Sequence, residues 1–510
     1  MKVKITTLSP VHIGTGKEIT RTEFYNYYRI NFDKLCDFIA SKNETEFLNF
    51  LNNENNLTNI SVNELISKFK LKSDEVIQNC AVYRLDTPIV QNTREIIKAN
   101  NKVYLTGSSI KGSIRTALLF NALKNDSQFL NNYLNNVQNK LKNRQPRDFE
   151  RISKDLDQEL IEEVFHYGTR DSNGRVTFRD QQNDLLKVLH ISDSNSLDVY
   201  ENCEVNEIKV YALKKNGPHL NFSIYAECIK PFTEFEFDIN IDIDFIKFLL
   251  RGFVNNSNGI GTKNFINADI KLHKLFGINI NNINNLSEDQ IIKSIFNAWL
   301  SFGQEVSLIE EKFYKSLSNT QSFGNLNHLY SFPTKFKIGF GTGFPGMTIF
   351  PLLIKDSQTK TKAEQIYQTL GIGRHRNKSP MQIDQFPFTR KLKYNNGINA
   401  MGWVTFSDLV DGFKKISNTK TTTNIQSNQP AQVSAQQIDK NFIIAQIIDT
   451  KSKPPKVKIL TGEHQGKETI LPHVKLDGLG LKEGSKVYVQ LLINKNVIQK
   501  ADFKGKVSED

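Results

Sequence analysis

The order of polar and apolar positions along the chain predicts a mixture of strands and helices. The opening "KVKITTL" alternates as a half-buried strand does, "HIGTG" follows as a glycine-containing turn, and "TEFYNYYRI" reads as further strand. From Asn31 to about Asn79 the spacing becomes helical in "DKLCDFIAS", "ETEFLNFL" and "SVNELISKF". In the last of these, Ser61 with Glu64 makes a capping box. "KVYLTG" is a strand that leads into "SSIKGSIRTALLF", a helix from about Ser109 to Lys124. Residues 125–163 are polar and helical and read as an insertion, not as core. "KVLHISDSN", "CEVNEIKVYAL" and "LNFSIYAECIKPFTEFEFDINI" are strand signals, and the last alternates well enough for a hairpin. Beyond Asp242 come the helix "DFIKFLLRGFVNN", a helical region from about Ser287 to Ser316, the strand "TKFKIGFGTG", the helix "TKAEQIYQTLG" and a closing "MGWVTFSDL".

Ser417 to Gln437, "SNTKTTTNIQSNQPAQVSAQQ", has little to bury and reads as a flexible linker. Five short strand candidates follow: "NFIIAQIID", "KVKILT", "KETILP", "SKVYVQLL" and "VIQKADF". Such a run predicts a small barrel of OB or SH3 type, a fold that either binds oligonucleotides or docks proteins.

Composition adds a direction. A chain of 510 residues accommodates several domains, and its formal charge of +12 is what a partner rich in phosphate calls for, or what a solvated lysine-rich surface gives. The four cysteines, Cys36, Cys80, Cys203 and Cys228, form no CxxC pair, so they read as reduced thiols of a cytoplasmic protein and not as a zinc site. No apolar run reaches the roughly 18 residues that span a membrane, so no membrane partner is expected.

Three stretches carry candidate chemistry. In "TGSSIKGSIRT", Gly107 and Gly112 bracket four residues as in a nucleotide-binding P-loop. Lys111, however, precedes the second glycine, and Ser113-Ile114 stand where Lys-Ser/Thr belongs. What remains is a Gly107-Ser108-Ser109 turn at a helix N-terminus, an anion site that Lys111 and Arg115 can reinforce, or an ordinary strand-to-helix turn. In "KFKIGFGTGFPG", Lys337 precedes Gly339, Gly341 and Gly343; Pro345 and the absence of a following helix argue against a dinucleotide site. The glycines there allow either close approach of an RNA strand or a turn with positive φ. In "GIGRHRNKSP…PFTRKLKY", Arg374, Arg376, Lys378, Arg390, Lys391 and Lys393 lie among His375, Phe386, Phe388 and Tyr394, as single-stranded nucleic acid or a solvated loop would have them. His12 is a candidate general base in RNA cleavage or a packing residue. His190 reads as core, and Asp193 as a turn-maker, with metal ligand or catalytic acid as alternatives. No paired-carboxylate or metal-ligand spacing stands out, so no metal or cofactor is expected.

"KITTLSPVHIGTG", "YLTGSSIKGSIRTALL", "LHISDS", "KIGFGTGF" and "FPFTRKLKYNNGINAMGWVTF" occur in the order seen in RAMP proteins of type III CRISPR systems, which the chain resembles over about residues 1–412. The resemblance implies an α+β fold of two RRM-like (ferredoxin-like) modules with helical insertions. The first would span residues 1–238, with insertions at about 31–100 and 125–180, and the second 239–416. The linker 417–437 and the β-barrel 438–510 would then be accessory. It also implies a non-catalytic subunit that binds CRISPR RNA, caps the 3′ end of a type III-A effector complex beside the repeated backbone RAMP subunit, and assists 3′-end maturation with host nucleases. By this resemblance the Gly107–Arg115 loop and the Gly339–Gly346 loop face the RNA. The alternative within the superfamily is a metal-independent endoribonuclease that processes precursor RNA, with His12 as its base.

Overall fold

The computed structural model describes residues 1–407 apart from 53–59, 87–88, 90, 143, 171–174, 179–180, 213–221, 255–264, 319–333, 373–382 and 395–397. Beyond Ser407 it describes residues 443–450, 452, 454–460, 466–471, 482–494 and 497–506. The chain divides into two units, Met1–Thr421 and Thr422–Asp510.

The first unit is α+β and rests on two five-stranded sheets. One has the order Leu189–Ile191, Glu234–Ile241, Lys2–Thr7, Trp403–Phe406 and Phe336–Lys337, antiparallel throughout. Alternation in its long strands buries Val3, Ile5, Phe235, Phe237 and Ile239 on one face. The helices Gly107–Lys124 and Glu288–Ser318 belong to the same core, where the buried Trp299 lies 3.7 Å from the Phe336 ring and 5.1 Å from Phe406. Full burial of an apolar side chain of this class stabilises by about 1.5–3 kcal/mol. The second sheet has the order Thr389–Lys393, Cys203–Ala212, Ile224–Ile229, Thr93–Ile96 and Gly14–Ile19, with one parallel pair, Ile224–Ile229 beside Thr93–Ile96.

The hairpin expected over residues 220–241 does not form between the two strands described there. Ile224–Ile229 belongs to the second sheet and Glu234–Ile241 to the first, and the turn between them, with Phe232 at φ +66°, carries the chain from one sheet to the other. The residues assigned from sequence to two successive modules share one sheet. Glu234–Ile241 runs across position 238, and Lys2–Thr7 lies between it and Trp403–Phe406.

The helical segment after Ile30 builds a small core of its own from Leu35, Ile39, Phe47, Val62, Leu65 and Val76, and the Ser61–Glu64 capping box is formed. The polar stretch after Lys124 departs from expectation. Its helices Ser127–Leu141 and Phe149–Phe165 place Leu130, Leu134, Val137, Leu156 and Leu160 in the main core, because one apolar stripe at three- and four-residue spacing is enough to dock an otherwise polar helix.

In the second unit the five expected strands are present as one antiparallel sheet, ordered Glu468–Ile470, Lys456–Ile459, Ile443–Asp449, Lys486–Asn494 and Val497–Lys506. Ala445, Ile447, Val457, Leu471, Val487, Val489 and Ala501 form its core. The linker 417–437 lies outside the described residues. Among the described residues, no helix is long and apolar enough to cross a membrane, and no group of three or more His, Cys, Asp and Glu is placed to hold a metal ion.

Candidate nucleic-acid interface

The helix Gly107–Lys124 starts two residues earlier than its sequence pattern implies. Thr106 is its N-cap and accepts from the Ser109 amide, while Ile110, Ile114, Ala117 and Leu118 form the buried stripe. The Gly107 amide donates to Asp193 Oδ1 at 2.8 Å. The anion at this helix N-terminus is therefore the protein's own carboxylate, supplied two residues beyond the end of the first sheet's edge strand Leu189–Ile191. Gly107 itself is dictated by close approach: a Cβ there would stand 2.4 Å from the Ile191 carbonyl oxygen.

Lys111 and Arg115, expected to add charge to a phosphate site, are engaged within the fold. Lys111 Nζ donates to the Leu189 carbonyl at 2.7 Å, and burial lowers its pKa. Arg115 pairs with Asp184 at 2.6 Å and lies over the Phe165 ring. The hydroxyl of Ser113, at the position where a P-loop has its lysine, accepts from Trp299 Nε1 at 2.9 Å and donates to the Lys337 carbonyl at 3.2 Å. Its role is to fasten the helix to the core.

The structure does bring the two glycine-rich stretches together. A cavity of about 540 Å³ is lined by His12, Gly14, Gly16, Lys17, Glu18, Arg94, Glu95, Ser109, Gly339 and Phe340. A second, of about 270 Å³, is lined by Ser109, Gly112, Ser113, Thr116, Gly339, Thr342 and Met347 among others. Ser109 and Gly339 border both, so the two form one groove between the strand Gly14–Ile19, the first turns of the helix and the glycine loop. Gly339 has φ +71°, and a Cβ on it would meet the His12 carbonyl oxygen at 2.4 Å. Ser108 is exposed on the first turn beside this groove, and Gly341 and Gly343 continue the loop with positive φ.

Of the cations beside the groove, Lys391 belongs to the basic cluster singled out in the sequence, while Lys17 and Arg94 do not. Arg94 and Lys391 approach the Phe340 ring at 4.9 and 4.4 Å, and Lys17 is exposed on the cavity wall. Of the two carboxylates that line the cavity, Glu95 is paired with Arg29. His12 also meets Phe340, edge to face at 5.8 Å. The His12 ring is buried, and its Nδ1 lies 2.7 Å from the Glu227 carbonyl oxygen, which assigns the proton to Nδ1 and leaves Nε2 as the acceptor. Burial lowers its pKa, so the ring is neutral at pH 7. His190, expected in the core, is exposed.

Lys337 and Arg390, expected at the surface, are buried around one carboxylate. Glu310 of the long helix is fully buried; it pairs with Lys337 at 3.2 Å and with Arg390 Nε, and accepts from the Tyr314 hydroxyl at 3.0 Å. Burial alone would raise the Glu310 pKa, but the two cations outweigh it and hold it below the usual carboxylate range. Lys337 Nζ also donates to the Gly341 carbonyl at 3.0 Å, so this cluster clamps the glycine loop from beneath. Arg374 and Arg376 lie outside the described residues.

A sheet-based α+β unit with a glycine loop set against a loop-to-helix turn is a recognisable class. The model of the RAMP superfamily matches residues 4–308, and the chain belongs to that superfamily. Its relatives include the "CRISPR system Cms protein Csm5" of Methanocaldococcus jannaschii, 25% identical over 427 residues that cover 79% of this chain and 88% of that protein. A protein of the same name from Streptococcus thermophilus is 26% identical over 264 residues, 48% of this chain and 64% of that one. Among solved structures, a chain of the cryo-EM structure of a Csm-crRNA-target RNA ternary complex in a type III-A CRISPR-Cas system has a TM-score of 0.50 and 22% identity. That match covers 80% of this chain and 100% of the other, and it is a likeness of fold. The crystal structure of T. onnurineus Csm5 is similar at a TM-score of 0.48 and 18% identity, covering 79% and 99%.

Proposed function

We propose that this chain is a non-catalytic, CRISPR-RNA-binding subunit of a type III-A effector complex. In this reading it sits at the 3′ end of the CRISPR RNA beside the repeated backbone RAMP subunit and takes part in 3′-end maturation with nucleases of the host. The names of the two relatives and the complex that shares its fold supply the context. The observation that carries the reading is the groove. Glycine and serine main chain lets a sugar-phosphate strand come close, Lys17 and Arg94 offer charge, and Phe340 offers a ring. Main-chain and cationic contacts of this kind position a nucleic-acid backbone without reading its sequence.

The test uses the full chain and a CRISPR RNA. Lys17→Ala with Arg94→Ala weakens binding and reduces the slope of log affinity against log salt by about 1.4, from two phosphate contacts at about 0.7 each. Unchanged affinity and slope in a folded double variant would sink the proposal. The endoribonuclease alternative draws on His12, which lines the cavity and has Nε2 as its acceptor nitrogen. Repeat RNA cleaved at a defined site in EDTA, with cleavage lost in His12→Ala, would replace the binding reading by the catalytic one.

A further inference from the structure

A second surface has the chemistry of nucleic-acid recognition and takes no part in the groove. Arg84 ends the strand Ala81–Arg84, where the tight turn Phe24–Ile30 and the short helix Val199–Asn202 converge on it. Its guanidinium carbon lies 4.4 Å from the centre of the Tyr200 ring, 5.6 Å from Tyr28 and 5.9 Å from Tyr27. Tyr27 and Tyr200 are 42% and 41% exposed, so both rings keep surface towards solvent while holding the cation.

No carboxylate pairs with Arg84 among the described residues. Asp86, two positions on, is taken by Lys230 at 2.9 Å, and Lys230 also donates to the Tyr200 and Glu201 carbonyls. An arginine kept only to join two elements spends its donors on a carboxylate or on carbonyls. Here a permanently charged planar cation is held among three phenol rings, and its guanidinium N–H groups have no hydrogen-bond partner among the described residues. Flat rings that receive bases, with a guanidinium between them to receive phosphate, match single-stranded nucleic acid. The surface also adjoins the groove: Arg29, next to Tyr28, pairs with Glu95, which lines the larger cavity.

We infer that Tyr27, Tyr28, Arg84 and Tyr200 form a stacking platform for an unpaired stretch of RNA that continues beyond the groove, an inference that rests on the chain binding RNA. The experiment is fluorescence anisotropy of the full chain with a short oligouridine, sized for the groove alone, and a longer one. Tyr27→Ala with Tyr200→Ala lowers affinity for the longer oligomer at least about tenfold and leaves the short one unchanged, while Tyr27→Phe with Tyr200→Phe keeps both. The groove variant Lys17→Ala with Arg94→Ala weakens the short oligomer instead. In the wild type, 4-thiouridine in the longer oligomer crosslinks to peptides carrying Tyr27 or Tyr200. A wild type whose affinity does not grow with length, or that gives no such crosslink, overturns the platform alone. A wild type that binds neither oligomer overturns the groove as well.

Discussion

Glu310 decides the geometry beneath the glycine loop, and removing it isolates two buried cations. Glu310→Ala is expected to cost about 3–5 kcal/mol, read as a shift in the denaturant midpoint. A loss below ~1 kcal/mol would show that the cluster is hydrated. Its three members are hard to connect from sequence, because Glu310 stands 27 residues from Lys337 and 80 from Arg390. One signal was available: in "TRKLK" the period of two groups Arg390 with the buried Leu392 and turns Lys391 outward, as the strand does. Arginine and lysine are so seldom buried that this period alone does not mark Arg390 as a core residue. Lys271 is a second buried cation, donating to the Glu162 and His166 carbonyls at 3.0 and 2.6 Å. Burial lowers its pKa to about 8, with Glu163, Lys274 and Glu162 as the charges around it. Unfolded, it titrates near 10.5, so between those values the unfolded chain binds more protons and this residue's contribution to stability rises with pH. The stability gap between Lys271→Met and wild type should therefore drift in favour of wild type from pH 7 to pH 10; a gap independent of pH would contradict the assignment.

At the scale of elements, the helix Gly107–Lys124 was legible and its surroundings were not. Strand, glycine turn and apolar spacing gave its position to within two residues, because these are local preferences. The carboxylate on its first amide was not legible, since Asp193 reads in its own neighbourhood as a turn residue. Asp193→Ala should cost ~1–2 kcal/mol in thermal or chemical unfolding, the worth of a charged partner on a helix N-terminus. RNA affinity should stay the same, because the Gly107 amide is already taken by the Asp193 carboxylate. A marked change in affinity would return the helix N-terminus to the interface. Strand membership shows the same division. Alternation marked Ile224–Ile229 and Glu234–Ile241 as strands, but nothing within them says that they enter different sheets.

At the scale of the molecule, the first unit is closed by its two ends, with Lys2–Thr7 paired to Trp403–Phe406. A fragment ending at Thr421 should therefore unfold in one cooperative thermal transition by circular dichroism, and one ending before Trp403 should not. Equal cooperativity in the two would show the closing strand to be dispensable. The same pairing sets an order of events on the ribosome. The first strand emerges roughly 400 residues ahead of its partner, a wait of about 20–80 s at ~5–20 residues per second. Throughout that interval one side of Lys2–Thr7 has no neighbour, and its free amides and carbonyls can pair with another nascent chain. Translation that stalls before Trp403 leaves this edge open for good, so truncated products should be found in aggregates, not in the soluble pool.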